Sequence, residues 1–448
     1  MICWVMNSKM SKTISLEKYK KLLESRHFVR YSGKVSKVVG LTIESEGPET
    51  HIGALCHIIS HNDRTVLAEV VGFRDNHVLL MPIGDMSGIG PGSLVVAADR
   101  DLEVGVGQGL LGRVLNGLGH PMDGKGPIEI EKYYPVNNMP PNPMTRPRIN
   151  QVLPLGVKCI DGLLTVGKGQ RLGIFAGSGV GKSTLLGMIA RNTKADINVI
   201  ALIGERGREV RDFLERDLGE EGLKRSVVVI ATSDQPALIR LKGALVATAI
   251  AEYFRDCGKD VLLLMDSLTR FSMAQREVGL AIGEPPVTRG YTPSVYAAMP
   301  KLLERSGTSS RGSITGLYSV LVDGDDMNEP ITDTARGILD GHIVLSRQLA
   351  HRNHYPAIDV LASISRVMTD IVDDGHKACA NKLRRYLAIY RDAEDLINVG
   401  AYVKGSNPDI DESIRLIKGI NEFLAQGVYE RFTYNETIEL LKKAVDKA

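Results

Sequence analysis

One stretch constrains this chain more than any other. An apolar run, Leu172 to Phe175, leads into Ala176-Gly-Ser-Gly-Val-Gly-Lys-Ser183, and Leu185, Leu186 and Ile189 follow at helical spacing. Strand, glycine loop and helix in that order form the arrangement that wraps a polyphosphate. Gly177, Gly179 and Gly181 let the backbone N–H groups of the loop, with Ser178, Val180 and Thr184, close on phosphate oxygens. The helix N-terminus adds partial positive charge, Lys182 reaches the outer phosphates, and the Ser183 hydroxyl can ligate Mg²⁺. The strict spacing asks for glycine at position 176, where this chain has Ala176. A methyl group is tolerable there if the residue ends the strand with negative φ, because only positive φ demands glycine.

At 448 residues the chain exceeds what one core usually holds, so two or three domains are expected. Hydrophobic content of 43% and charged content of 24% describe a globular protein. The net charge of +2 gives no global pull toward nucleic acid or a membrane, and no apolar run approaches the roughly 18 residues a membrane span needs. Met1 to Met6 is too short, and lacks the leading positive charge, for a secretion signal. Five cysteines, Cys3, Cys56, Cys159, Cys257 and Cys379, lie far apart with no C-x-x-C pair, which argues for reduced thiols in the cytoplasm and against a thiolate metal site. His351 and His354 sit three apart, and a surface or packing role suits them better than ligation. The expected metal is Mg²⁺ brought in with nucleotide.

Four regions follow from the texture of the chain. Residues 1–27 carry Leu16, Tyr19, Leu22 and Leu23 at helical spacing, and six Lys/Arg face two Glu. Such a basic amphipathic segment can dock a partner or membrane surface, or pack on its own domain. Residues 28–98 are short β runs broken by turns, with Thr65 to Phe73 and His77 to Met81 as strands around an Asp75-Asn76 turn, which suggests a small β-barrel. Residues 99–375 begin with a glycine-rich stretch, Gly105 to Gly126, and a proline-rich linker from Pro135 to Pro147, expected to have little regular structure. Beyond 150, strands (Val199 to Gly204, Val227 to Thr232, Val261 to Met265) alternate with helices (Glu209 to Leu218, Leu241 to Arg255), which implies a parallel sheet covered on both faces. Residues 376–448 read as helical, with breaks at Gly405-Ser-Asn-Pro408 and near Gly427.

Two further strings belong with the glycine loop. Val261 to Met265 is an apolar strand ending in Asp266, and a carboxylate at the carboxyl end of a parallel strand is placed to hold Mg²⁺ directly or through water. Ile203-Gly-Glu-Arg-Gly-Arg-Glu209 also follows a strand. Glu205 there can orient and deprotonate an attacking water, and Arg206 can steady phosphate charge. Glu209 reads equally well as a first-turn helix acid, whereas Glu205 precedes the helix.

Ala176 to Ser183, Gly204-Glu-Arg-Gly-Arg-Glu209, Leu264-Met-Asp-Ser-Leu-Thr-Arg-Phe271 and Pro356-Ala-Ile-Asp-Val-Leu-Ala-Ser-Ile-Ser365 occur in order. Together they resemble the catalytic subunits of rotary ATP synthases and their relatives, from about residue 28 to the C-terminus. Within that superfamily the loop variant, Glu284-Pro-Pro-Val-Thr-Arg-Gly-Tyr-Thr-Pro-Ser294 and Asp395 to Pro408 are most similar to the flagellar protein-export ATPases of the type III secretion branch. The resemblance implies a small N-terminal β-barrel, a central P-loop (RecA-like) α/β domain with a mainly parallel sheet, and a C-terminal helical domain.

It also implies roles for named residues. Lys182 would bind the β/γ-phosphates, Ser183 and Asp266 the Mg²⁺, and Glu205 would polarise water. Arg206 and Arg270 would contact phosphate or brace Glu205, and Tyr355 would stack on adenine. Val428 falls where the synthase family has a phenylalanine on the other side of the adenine. Arg366 would be an arginine finger from a neighbouring subunit, which implies a homohexamer acting on ATP. The further partners implied are a stator-like regulatory subunit, a stalk-like coiled-coil protein, export substrates with their chaperones, and peripheral contact with an inner-membrane export gate from the cytoplasm. A virulence injectisome ATPase is the near alternative and a true synthase subunit a more distant one. An RNA translocase of the transcription-terminator type needs a basic barrel, whereas residues 28–98 hold five Lys/Arg and seven Asp/Glu, so no nucleic-acid partner is expected.

Overall fold

The structure is a computed structural model that describes residue 20 and residues 32–446, apart from 61, 63, 99 and the side chain of 323. The amphipathic segment expected over 1–27 therefore falls outside the described residues, Lys20 aside. The chain divides into one unit ending at Arg100 and a second beginning at Asp101.

In the first unit, strands β1 (Ser32–Val39), β2 (Thr42–Glu46), β3 (Leu55–Ile59), β4 (Thr65–Arg74), β5 (His77–Pro82) and β6 (Leu94–Ala97) form a closed barrel in the order β1-β2-β5-β4-β3-β6. Alternation along the strands sends Val35, Ile43, Cys56, Ile58, Val70, Leu80 and Val95 inward to one core. The β4–β5 hairpin turns on Asp75 and Asn76, both with positive φ, a conformation these residue types tolerate and a tight hairpin requires. The barrel expected from closely spaced short strands is thus present.

The second unit begins with β7 (Glu103–Val106), β8 (Val114–Asn116) and β9 (Lys132–Pro135). Its main sheet adds β10 (Arg171–Ala176), β11 (Ile197–Ile203), β12 (Ser226–Ala231), β13 (Asp260–Asp266), β14 (Gly307–Thr308), β15 (Ser313–Leu321), β16 (Gly341–Leu345) and β17 (Ile358–Ser365). The strand order is β17-β16-β10-β15-β13-β11-β12-β8, with β14 against β15. Pairing is parallel except at β16–β17 and β14–β15. Every residue of β11 and β12 is buried, as expected of strands covered on both faces. The stretch from Gly105 to Gly126, which reads only as glycine-rich, supplies the edge strand β8, whose three residues are too few to show a period.

A buried ion pair staples the linker to this unit. Arg305, on the turn after the helix Pro293–Glu304, donates to both carboxylate oxygens of Glu252 at 2.9 and 2.8 Å and to the Val136 carbonyl at 2.8 Å. Asn138 donates to the same Glu252 at 3.1 Å. Both charged side chains are almost wholly buried, 3% and 0% exposed. Arg305→Met should therefore lower unfolding stability by about 3–5 kcal/mol, since it strands the Glu252 charge. Replacing both partners by apolar residues should recover most of the loss in a denaturant titration, and an unchanged midpoint in Arg305→Met would refute the role.

The C-terminal helices Asp374–Asn398, Pro408–Leu424 and Tyr434–Asp446 break where Gly405-Ser-Asn-Pro408 and Gly427 predicted. Leu383, Leu416, Ile420, Phe423 and Leu441 belong to the same apolar core as Ile160, Leu163 and Ile189 near the sheet.

Candidate nucleotide site

Four strand ends build the site at the carboxyl edge of the parallel sheet, where ligands of such sheets bind. β10 stops at Ala176, which is buried and has negative φ, so the methyl group is accommodated. Gly179 (φ 79°) and Gly181 (φ 90°) then take the left-handed backbone that turns the loop into the helix Lys182–Asn192. The loop, with Ser178, Lys182, Ser183 and Thr184, lines a 440 Å³ cleft that also takes in Glu205, Arg206, Glu209 and Arg270. Val180 is buried in the core and, unlike its neighbours in the loop, does not line the cleft.

Lys182 crosses from the loop to the two carboxylates. Its Nζ hydrogen-bonds Asp266 Oδ1 and lies 3.8 Å from Glu205 Oε1. Register explains the convergence: Leu202 on β11 pairs with Asp266 on β13, and β15 runs between β13 and β10. From β15, Ser319 Oγ donates to Asp266 Oδ1 at 2.6 Å and fixes that carboxylate from below. β15 also carries Ser313 and Thr315, so nothing in the sequence singles out Ser319 for this role.

Burial is the largest influence on the Glu205 carboxyl and, with the neighbouring Asp266 charge, pushes it up to about 7 against the pull of Lys182. A carboxyl poised near neutrality suits a general base. Ser183 at the cleft and the buried Asp266 behind Lys182 supply two hard oxygen donors. Mg²⁺ keeps several waters and takes few protein ligands beside substrate phosphates, so this donor set fits it.

The remaining expected residues are distributed around this centre. Arg206 is exposed at the rim and pairs with Glu209 at 3.2 Å. Arg270 packs its stem on Gly204, where a Cβ would come within 2.8 Å of it. Ser267 caps the helix Leu268–Ile282 by accepting from the Arg270 backbone N–H. The Tyr355 ring lies beside Gly181, and its carbonyl accepts from Gln426 N–H at 2.9 Å. Gln426, unnoticed in the sequence, also accepts from Lys158 N–H and donates to the Gly156 carbonyl. Val428 accepts from Arg191 through its carbonyl at 2.8 Å.

Arg366 stands apart. It follows β17, which runs antiparallel to β16, so it lies at the amino edge of the parallel strands, where Ser365 pairs with Gly341. It is exposed, and its side chain contacts only the Arg336 carbonyl, at 3.5 Å, among the hydrogen bonds of the described residues.

Fold and site together define a P-loop nucleoside-triphosphate hydrolase. Its barrel matches the ATP synthase alpha/beta family beta-barrel domain over residues 35–98, and its sheet matches that family's nucleotide-binding domain over 156–365. Residues 372–443 match the T3SS EscN ATPase C-terminal domain. The chain is 57% identical to the flagellum-specific ATP synthase of Bacillus subtilis (strain 168), over 92% of this chain and 95% of that protein. It is 52% identical to the type 3 secretion system ATPase of Xanthomonas euvesicatoria, over 94% and 95%. The assembled ATPase EscN of the enteropathogenic E. coli type III secretion system superposes with a TM-score of 0.88 at 47% identity, over 92% of this chain and all of that one. The chain belongs to the ATP synthase alpha/beta family, in its branch of flagellum-specific ATP synthases and type III secretion ATPases, and is an ATP hydrolase.

Proposed function

We propose that this protein is the ring-forming ATPase that energises flagellar type III protein export or prepares its substrates. The observation that carries the reading is Lys182 held against Asp266 and Glu205 at the phosphate-loop cleft. With nucleotide bound, Lys182 would move its charge to the β/γ-phosphates and the loop from Gly177 to Thr184 would wrap them; Ser183 and Asp266 would hold Mg²⁺, which would supply neutralisation of developing charge. Glu205 accepts the proton of the attacking water, Arg206 and Arg270 steady phosphate charge, and Tyr355 stacks on adenine.

The flagellar assignment is supported by relatives of that name at 57% and 55% identity, beside a secretion ATPase at 52%. Homohexamer formation is supported by the assembled form of EscN, and a stalk-like coiled-coil partner by the structure of EscN with its central stalk EscO. A stator-like subunit, export substrates with chaperones, and the inner-membrane export gate complete the proposed partners of a cytoplasmic, peripherally attached protein. No helix among the described residues is long and apolar enough to cross a membrane. We assign residues 28–98 to the barrel domain, 99–375 to the ATPase domain and 376–448 to the C-terminal domain.

Lys182→Ala should weaken ATP binding by about 2–3 kcal/mol, since it removes one charged donor and uncovers two carboxylates. Calorimetry reads this directly, and unchanged affinity would refute the site. In the source bacterium, Glu205→Gln should stop secretion of flagellar building blocks; intact flagella with lost effector secretion would move the assignment to an injectisome.

A further inference from the structure

Gly177 opens the phosphate loop, yet its backbone is not in the left-handed region that calls for glycine. Space is what requires it. A Cβ built there would lie 2.7 Å from an Arg347 guanidinium nitrogen and 2.8 Å from Asp325 Oδ1. These two side chains form an ion pair, Nε to Oδ2 at 3.3 Å, resting on the first residue of the loop that wraps the phosphates. Arg347 begins the short helix Arg347–His351 after β16, and Asp325 lies in the turn after β15.

Two more features single out this contact. A 260 Å³ cavity, lined in part by Phe175, Val322, Asp325, Met327, Val344 and Arg347, opens beside the pair and gives the guanidinium room to leave Gly177. The next residue, Asp326, pairs with Arg289 at 2.8 Å, on the loop before the helix Pro293–Glu304. Asp325 (φ 59°) and Arg289 (φ 52°) both hold left-handed backbone, uncommon for such residues and kept only where the surroundings enforce it.

We propose that Arg347 is a positioning residue: with Asp325 it clamps Gly177, so that nucleotide in the cleft and the conformation of the 323–328 loop are linked. The inference rests on the cleft being the ATP site and adds what that reading lacks, a route by which an element outside the cleft senses its occupancy. Phosphate entering the loop shifts the peptide units next to Gly177, and the pair transmits that shift to Asp325 and onward through Asp326 to Arg289. Conversely, a partner pressing on the 323–328 loop changes how tightly the phosphate loop is held. Both side chains are about half exposed, so the link is modest and adjustable rather than rigid.

The test measures nucleotide affinity and hydrogen exchange on the full chain, with Mg²⁺–ADP and a non-hydrolysable ATP analogue. Arg347→Ala should weaken affinity about two- to five-fold, the range a half-exposed ion pair supports. Asp325→Ala should match it, and the double variant should be no worse than either single change, as for two halves of one device. Gly177→Ala should reproduce the loss by pushing the pair away, and Arg347→Lys should recover part of it. Nucleotide should slow exchange in residues 323–328 of the parent but not of Arg347→Ala, a response that simple packing would not produce. Melting curves matching the parent confirm that the variants fold. If Arg347→Ala binds as the parent does while Lys182→Ala fails to bind, the clamp alone is overturned. If Lys182→Ala also binds normally, the ATP site and the clamp fall together.

Discussion

Arg366→Ala will assemble and bind nucleotide as the parent does, yet hydrolyse ATP about 10³–10⁵-fold more slowly, the loss that removal of an arginine finger produces. The reason lies in the direction of β17. Because that strand returns antiparallel to β16, Ser365 ends level with Gly341, while Gly173 on β10 pairs with His342. At about 3.3 Å per residue, Arg366 therefore sits roughly 15–20 Å along the sheet from the loop that begins after Ala176. No arginine side chain spans that distance, so Arg366 does not serve the cleft of its own chain. It is exposed and carries no carboxylate partner among the ion pairs of the described residues, as a residue meant for a neighbouring protomer should be.

Mixing tests this more sharply than the single variant. In the proposed roles, Arg366→Ala keeps an intact cleft and lacks the finger, and Glu205→Gln keeps the finger and lacks the base. A mixed ring places the finger of one beside the cleft of the other and should regain activity that neither has alone. A mixture no more active than the sum of its parts would mean that Arg366 acts within its own chain or not at all.

Glu205→Gln should lose about 10²–10⁴ in turnover, the usual worth of a positioned proton acceptor, while nucleotide still binds. The amide keeps the shape of the side chain and cannot take a proton from water. The parent should carry the matching pH signature. Burial and the Asp266 charge hold the Glu205 carboxyl up at about 7, so near neutrality it is partly protonated and idle. Only the ionised form accepts a proton, so kcat/KM should rise with pH through about 7 and then level off. Glu205→Gln should be flat and low across the same range. A parent profile that stays flat down to pH 5 would remove Glu205 from the proton-accepting role.

The phosphate loop, Glu205 and Asp266 were legible in the sequence because each follows a strand whose apolar run is buried on both faces, and a parallel sheet brings such strand ends to one edge. The barrel was legible for a related reason: alternation and the Asp75-Asn76 turn are local signals. Ser319, Gln426, Asp325 and Arg347 were not, since their partners lie far away along the chain and meet only through strand order. The linker before residue 147 also hid its anchor. Nothing local in Val136 or Asn138 announces that a buried Arg305–Glu252 pair holds them.

Gln426 carries a consequence for anyone trimming this protein. One amide side chain touches Lys158 and Gly156, and the same residue's backbone holds the carbonyl of Tyr355. The last two helices, which flank Gln426, are therefore no detachable appendage. A chain shortened before Asn407 would lose Gln426, the brace behind Tyr355, and would also bare Ile160, Leu163 and Ile189, so the shortened chain should lose fold stability as well as its hold on Tyr355.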